Sequence, residues 1–208
     1  MHLNILLLPL IPFLFSARVS AKCPDTRALT NPSFENGSPP TFPPPSPPPS
    51  RGWYIGSVSG SSTGIYSRPG SPPIPPDADG GGRRAFTAQL IPNPSSKGLS
   101  GIVLLQNMVL CAGNNYSVQV DFRFQSSDPD NNCRLTIDYP DYRAEGGRGS
   151  IETASSVVTA GTWYNTAGFF PAGTSTSGLL QIIFFCRYGV TNQITVDNVR
   201  VDKFNGNV

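Results

Sequence analysis

From Tyr116 to Phe124 every second residue is apolar: Tyr116, Val118, Val120, Phe122 and Phe124 alternate with Ser117, Gln119, Asp121 and Arg123. Successive side chains of a strand point to opposite faces, so this period of two predicts a strand half in a core and half in water. Cys133, Leu135, Ile137 and Tyr139 alternate with Arg134, Thr136 and Asp138 in the same way. Between Gly178 and Cys186 the pairs Leu179-Leu180, Ile182-Ile183 and Phe184-Phe185 suit a strand covered on both faces. Further strands are predicted over 27–35, 52–58, 84–90, 102–110 and 162–170. Turn signals separate them, among them Ala112-Gly113-Asn114-Asn115 and Gly146-Gly147-Arg148-Gly149. No segment shows a convincing amphipathic helical period. Many short strands without helices predict an all-β fold, a jelly-roll β-sandwich.

Two stretches do not fit such a core. Eight of the residues 39–49 and five of the residues 69–76 are proline, together 13 of the 22 in the chain. Proline fixes φ and donates no hydrogen bond, so both stretches are expected as exposed polyproline or irregular loops. The domain plan is therefore one β-sandwich over 22–208, carrying Pro-rich loops at 38–50 and 67–77.

Residues 1–21 have the form of a signal peptide. A weakly charged start at His2 leads into an apolar stretch from Ile5 to Phe15, and Val19-Ser20-Ala21 offers small residues for cleavage before Lys22. The apolar run is shorter than the roughly 20 residues needed to span a bilayer. His2 is the only histidine, so a mature chain has none. That excludes Ser-His-Asp and Cys-His catalysis and histidine-based metal sites. No glycine-rich phosphate loop follows a strand. Lys and Arg number 15 against 13 Asp and Glu, with 13% of residues charged. This balance provides neither the basic face of a nucleic-acid binder nor the charge of a membrane-surface binder. Carboxylate chemistry survives, but the Asp138, Asp141 and Glu145 group reads as a solvated loop.

Cys23, Cys111, Cys133 and Cys186 are an even set in an exported chain, which predicts two disulfides with three pairings open. Their wide spacing lacks the close CxxC pairs of a metal site. Asn36-Gly37-Ser38 and Asn115-Tyr116-Ser117 are N-glycosylation sequons. In the last strand Ile194 and Val196 share one phase, whereas Val199 and Val201 share the other. This slip predicts a β-bulge at Asp197-Asn198 or a change of buried face.

Several short motifs resemble the CenC-type carbohydrate-binding modules. These are Asn31-Pro32-Ser33-Phe34-Glu35 followed by Gly52-Trp53, the turn Leu110 to Tyr116, and the closing Ile194-Thr195-Val196-Asp197-Asn198-Val199. The resemblance spans most of the mature chain, with the 39–49 Pro stretch as an insertion, and the cysteine placement is similar to that of small secreted fungal proteins. It implies a galactose-binding-like jelly roll and favours Cys23–Cys111 and Cys133–Cys186 as the bridges. It also implies a structural Ca²⁺ tying first strand to last through Glu35 and Asp197.

A sugar binder stacks an aromatic ring on the apolar face of a pyranose and adds a few polar contacts. Of Trp53, Tyr54, Tyr66, Tyr139, Tyr142 and Trp163, the expected stacking residues are Tyr139 and Tyr142, at a strand-to-loop junction, with Trp53. The first functional expectation is a secreted, monomeric, non-catalytic module for a neutral cell-wall polysaccharide. The second is a structural or surface interaction protein of the same fold without a sugar site. The third, a small glycoside hydrolase, lacks an identified acid pair. A solvent-facing aromatic strip separates the first from the second.

Overall fold

The alternating segments form strands, ten of them among the described residues: β1 (Tyr54–Ser59), β2 (Thr63–Tyr66), β3 (Phe86–Leu90), β4 (Ser100–Val109), β5 (Asn115–Phe124), β6 (Cys133–Asp141), β7 (Gly147–Ala154), β8 (Tyr164–Pro171), β9 (Ser177–Cys186) and β10 (Asn192–Phe204). The structure, a computed structural model, describes residues 28–29, 34, 52–59, 63–66, 85–91, 100–126, 133–141, 147–187 and 191–204. For 57–59, 63–66, 141, 147–148 and 156 this covers the backbone alone. The leader expected at 1–21, both Pro-rich stretches, Cys23, Glu35, Asn36, Tyr142 and Glu145 lie outside the described residues.

The strands make two five-stranded sheets, ordered β1-β4-β9-β6-β7 (the first sheet) and β2-β3-β10-β5-β8 (the second). Every strand pair is antiparallel. Strands β3 to β10 form the jelly roll: β3, β10, β5 and β8 face β4, β9, β6 and β7, and β1 and β2 add one edge strand to each sheet. The expected all-β sandwich is therefore the observed fold.

The core fills the space between the sheets with the inward phase of each strand. Ile102 and Leu104 of β4, Leu135 and Ile137 of β6, and Leu180, Ile182 and Phe184 of β9 meet Phe86 of β3, Val118 to Phe124 in alternation on β5, and Phe170 of β8. Phe86 touches Phe184 across the sandwich with centroids 5.9 Å apart. Burying one such side chain contributes about 1.5–3 kcal/mol, so the inner rows dominate the stability of the fold.

The last strand carries the predicted bulge. Asp197 pairs with Asp121 but Arg200 pairs with Gln119, which leaves one extra residue on β10. Asn198 takes it up with left-handed backbone (φ 47°). The insertion restores the phase, and Ile194, Val196, Val199 and Val201 are all buried. Asparagine tolerates this conformation better than most residues.

Two disulfide positions are in view. Cys133 and Cys186 are directly paired across β6 and β9 and are bridged, as expected. Cys111 is also disulfide-bonded. The turn around it is pinned from below. The Cys111 N–H donates to the Tyr116 hydroxyl at 2.7 Å, and the Tyr116 ring stacks on Phe170 at 5.5 Å. Ala28 links the two sheets, donating to Val201 O of β10 and accepting from Val109 N of β4.

Three expectations change. Of 27–35 only Ala28, Leu29 and Phe34 are described, and all lie in bends. The Gly146-Gly147-Arg148-Gly149 turn signal instead contains the start of β7. The strand at 178–186 is fully covered on one face only: Leu180, Ile182, Phe184 and Cys186 are buried, and Leu179, Gln181, Ile183 and Phe185 are partly exposed.

Candidate functional site

Those four residues of β9 open the outer face of the first sheet. Registers on either side arrange it in rows. Phe185 lies between Gly101 of β4 and Arg134 of β6. The next row reads Val103, Ile183, Thr136 and Glu152, and the one after it Leu105, Gln181, Asp138 and Ser150. Side chains directly opposite are about 4.5–5.5 Å apart, and same-face residues along one strand about 7 Å apart. The face is thus divided. Its β4–β9 half is apolar but for Gln181, with Val103, Leu105, Ile183 and Phe185, and its β6–β7 half is polar.

Several features hold this face in shape. Arg134 Nη1 donates to Glu152 Oε1 across β6 and β7, an ion pair that stands partly in solvent. Leu105 lies over Gly56, the extra residue of a bulge in β1, where a Cβ would meet its Cδ1 at 2.0 Å. Gly101 carries no side chain beside the Phe185 ring. Asp138 and Asp141 both stand within β6, in line with the strand alternation read for Asp138 and not with the loop expected of the acidic group.

Of the stacking residues expected from sequence, the two that are described lie elsewhere. Tyr139 is 8% exposed and points between the sheets, packed against Gly149, Gly168 and Phe170. Trp53 is 8% exposed and stacks on Phe34 with centroids 5.3 Å apart. Both rings belong to the core, where neither presents a face for a sugar. Trp163 is partly exposed, but the Arg123 guanidinium covers one ring face at 5.0 Å. Burial pushes the Arg123 pKa down. Tyr54 is buried.

Asp197 sits in the second sheet. It is fully buried, and its Oδ1 accepts the Asn198 N–H at 2.8 Å. Asn198 donates its side-chain N–H to Asp121 Oδ2 at 3.0 Å, and Asn165 donates to Asp121 Oδ1 at 2.6 Å. Among the described residues no three His, Cys, Asp or Glu side chains gather as a metal set. Asn115 opens β5 on the outer face of this sheet, since Tyr116 beside it is turned into the core.

Two solved sugar-related structures share this arrangement along their full length. TmCBM61, solved with β-1,4-galactotriose, is 18% identical with a TM-score of 0.51, over 86% of this chain and 99% of that one. A Bacteroides thetaiotaomicron protein provisionally described as sugar-binding is 11% identical with a TM-score of 0.57, over 86% and 100%. The fold is that of the β-sandwich carbohydrate-binding modules. An arabinose-bound α-L-arabinofuranosidase, MgGH51, contains it too, at 13% identity and a TM-score of 0.52; the match covers 86% of this chain but 26% of that enzyme. No family model matches the sequence, and neither does any curated protein.

Phe185, Ile183 and Gln181 escaped the sequence reading because a run of apolar residues hides the phase of a strand. One signal was present. Gln181 is the single polar residue between Leu179 and Phe185, and it marks the odd-numbered phase as the outward one.

Proposed function

We propose that this protein is a secreted, non-catalytic module that holds a neutral polysaccharide on the outer face of the first sheet. The observation that carries this reading is the divided face around Phe185. A partly exposed ring with bare Gly101 at its side shares the face with hydrogen-bonding groups, Thr136 one row away and Gln181 and Asp138 two rows away. A pyranose has the same division, an apolar C–H face edged by hydroxyls. The ring can therefore stack on one sugar while the amide, about 14 Å along the strand, engages a later sugar of the same chain. The near balance of charges fits a neutral glycan. Tyr142, next in sequence after Asp141 at the end of β6, is the sequence-expected aromatic still to be tested there.

The motif resemblance to CenC-type modules supports a structural calcium held by Glu35 and Asp197. Asp197 suits that role as a fully buried carboxylate. Phe34 (φ 57°) and Asn198 (φ 47°), the two non-glycine residues with positive φ among those described, are the sequence neighbours of the two carboxylates. A bulky residue in that region is strained and persists only when its surroundings hold it. Calcium takes 6–8 oxygen ligands, so backbone carbonyls would complete the set. Its chemistry there would be a tie between chain ends.

The burial of Tyr139 and Trp53 favours a second reading, an interaction protein of the same fold without a sugar site. Pull-down against insoluble cellulose, chitin, xylan and β-glucan, with reducing-sugar release measured in parallel, separates the readings. Retention on one glycan without sugar release supports the module. Release of sugar would make it a hydrolase, and retention on none would leave the interaction protein.

A further inference from the structure

The outer face of the second sheet carries an aromatic pair that the proposed function does not use. Phe169 of β8 is 42% exposed and Phe204 of β10 is 36% exposed. Their centroids are 5.0 Å apart, in contact across the intervening β5. Two apolar rings in contact at the surface offer a seat on which a sugar face can pack. The register identifies a candidate. Asn115 of β5 is the direct partner of Phe204 on one side and of Pro171 on the other. Ser117, two residues on, is the direct partner of Phe169. Asn115-Tyr116-Ser117 is a sequon. The pair therefore lies beside an acceptor asparagine on the same face of the sheet, with Phe204 directly opposite it and Phe169 on the diagonal.

We infer that Asn115 is N-glycosylated and that its first N-acetylglucosamine lies over the Phe169–Phe204 pair. The Asn115 Nδ2 loses a proton and bonds the sugar's anomeric carbon as a lipid diphosphate leaves the glycosyl donor of the secretory pathway. Direct cross-strand neighbours stand about 4.5–5.5 Å apart and diagonal ones about 7–8 Å. A sugar joined to Asn115 Nδ2 starts within that reach of both rings. Its C–H face can pack on them as a ligand sugar packs on an aromatic platform. Ser117 is buried in the folded protein, which is no obstacle, because the acceptor is recognised on the chain before it folds. The inference rests on the secretion included in the proposed function and is independent of any bound polysaccharide.

The test uses the full chain with its own leader, carrying Asn36→Gln so that Asn115 is the sole sequon, in a eukaryotic host that leaves oligomannose glycans. Recovery from the medium reports secretion; peptide mapping then reports occupancy of Asn115. Melting is compared for the intact glycoprotein, the protein trimmed by endoglycosidase to a single N-acetylglucosamine, and Asn115→Gln. The expected result is occupancy, with the intact and trimmed forms melting together about 2–4 °C above Asn115→Gln. In Phe169→Ala and Phe204→Ala backgrounds that gap should shrink by most of this amount; contacts of the asparagine itself are common to all backgrounds and cancel when the gaps are compared. Secreted protein unmodified at Asn115 overturns the inference, as does a gap left unchanged by both ring substitutions. Concentration-dependent dimerisation through the rings, with no effect of the sugar, would assign the pair to a second copy and overturn it too.

Discussion

The ring of Tyr139 lies against the bare backbone of Gly149, its direct partner on β7, where a Cβ would come within 2.3 Å of Cε2. The same side chain reaches across the sandwich to Gly168 of β8, where a Cβ would come within 2.9 Å of the hydroxyl. One tyrosine thus bridges the two edge strands β7 and β8, and two glycines make room for it. This contact explains why a glycine-rich segment pairs as a strand instead of turning.

Tyr139 should accordingly report on stability. Tyr139→Ala is expected to cost about 3–5 kcal/mol, as aromatic truncations in cores do. Gly149→Val, which drives a side chain into the ring, should cost about 1–3 kcal/mol by overpacking. Denaturant unfolding measures both. A Tyr139→Ala protein of unchanged stability would place the ring outside the core.

The Cys133–Cys186 bridge closes a loop of 53 residues that contains β7 and β8. The chain-entropy model assigns such a loop about 4 kcal/mol. Replacing both cysteines by alanine should lower stability by about 2–4 kcal/mol and leave the β-sheet signal intact below the new transition. Non-reducing peptide mapping should recover this pair, with Cys23 joined to Cys111. A peptide joining Cys23 to Cys133 would refute both bridges.

For the proposed calcium, chelation is the direct probe. An ion that binds only the folded state raises the melting temperature by mass action. EGTA should lower the melting temperature of the wild type, and Asp197→Asn should be insensitive to it. A wild-type curve unchanged by chelator, in protein shown by elemental analysis to hold no metal, removes the site.

Much of the fold was legible because alternation survives translation into sheets. The phases of β5 and β6 are plain in Tyr116 to Phe124 and Cys133 to Tyr139, and the slip between Val196 and Val199 announced the bulge. The start of β7 was not, since the local preference of its glycines for a turn is overridden by the ring of Tyr139, a tertiary effect that no window reveals. The site was less legible than the fold. Tyr139 shares the phase of Leu135 and Ile137, which assigns it inward, yet Pro140 and Asp141 after it suggested a loop. In fact β6 continues to Asp141 along β7, and its ladder to β9 ends at Asp138, short of the proline that lacks an N–H. Trp53 stands before β1 with no alternation to assign its side, and only the stack on Phe34 shows where it goes.

The central claim is that Phe185 and Gln181 present the glycan-binding face, and calorimetric titration with soluble cello-, xylo-, chito- and laminari-oligosaccharides tests it most directly. The wild type should bind one of these series. Phe185→Ala and Gln181→Ala should each weaken that binding by about tenfold or more, equivalent to roughly 1.4 kcal/mol, while retaining a cooperative unfolding transition. Binding to one series at full affinity in both variants would contradict the account.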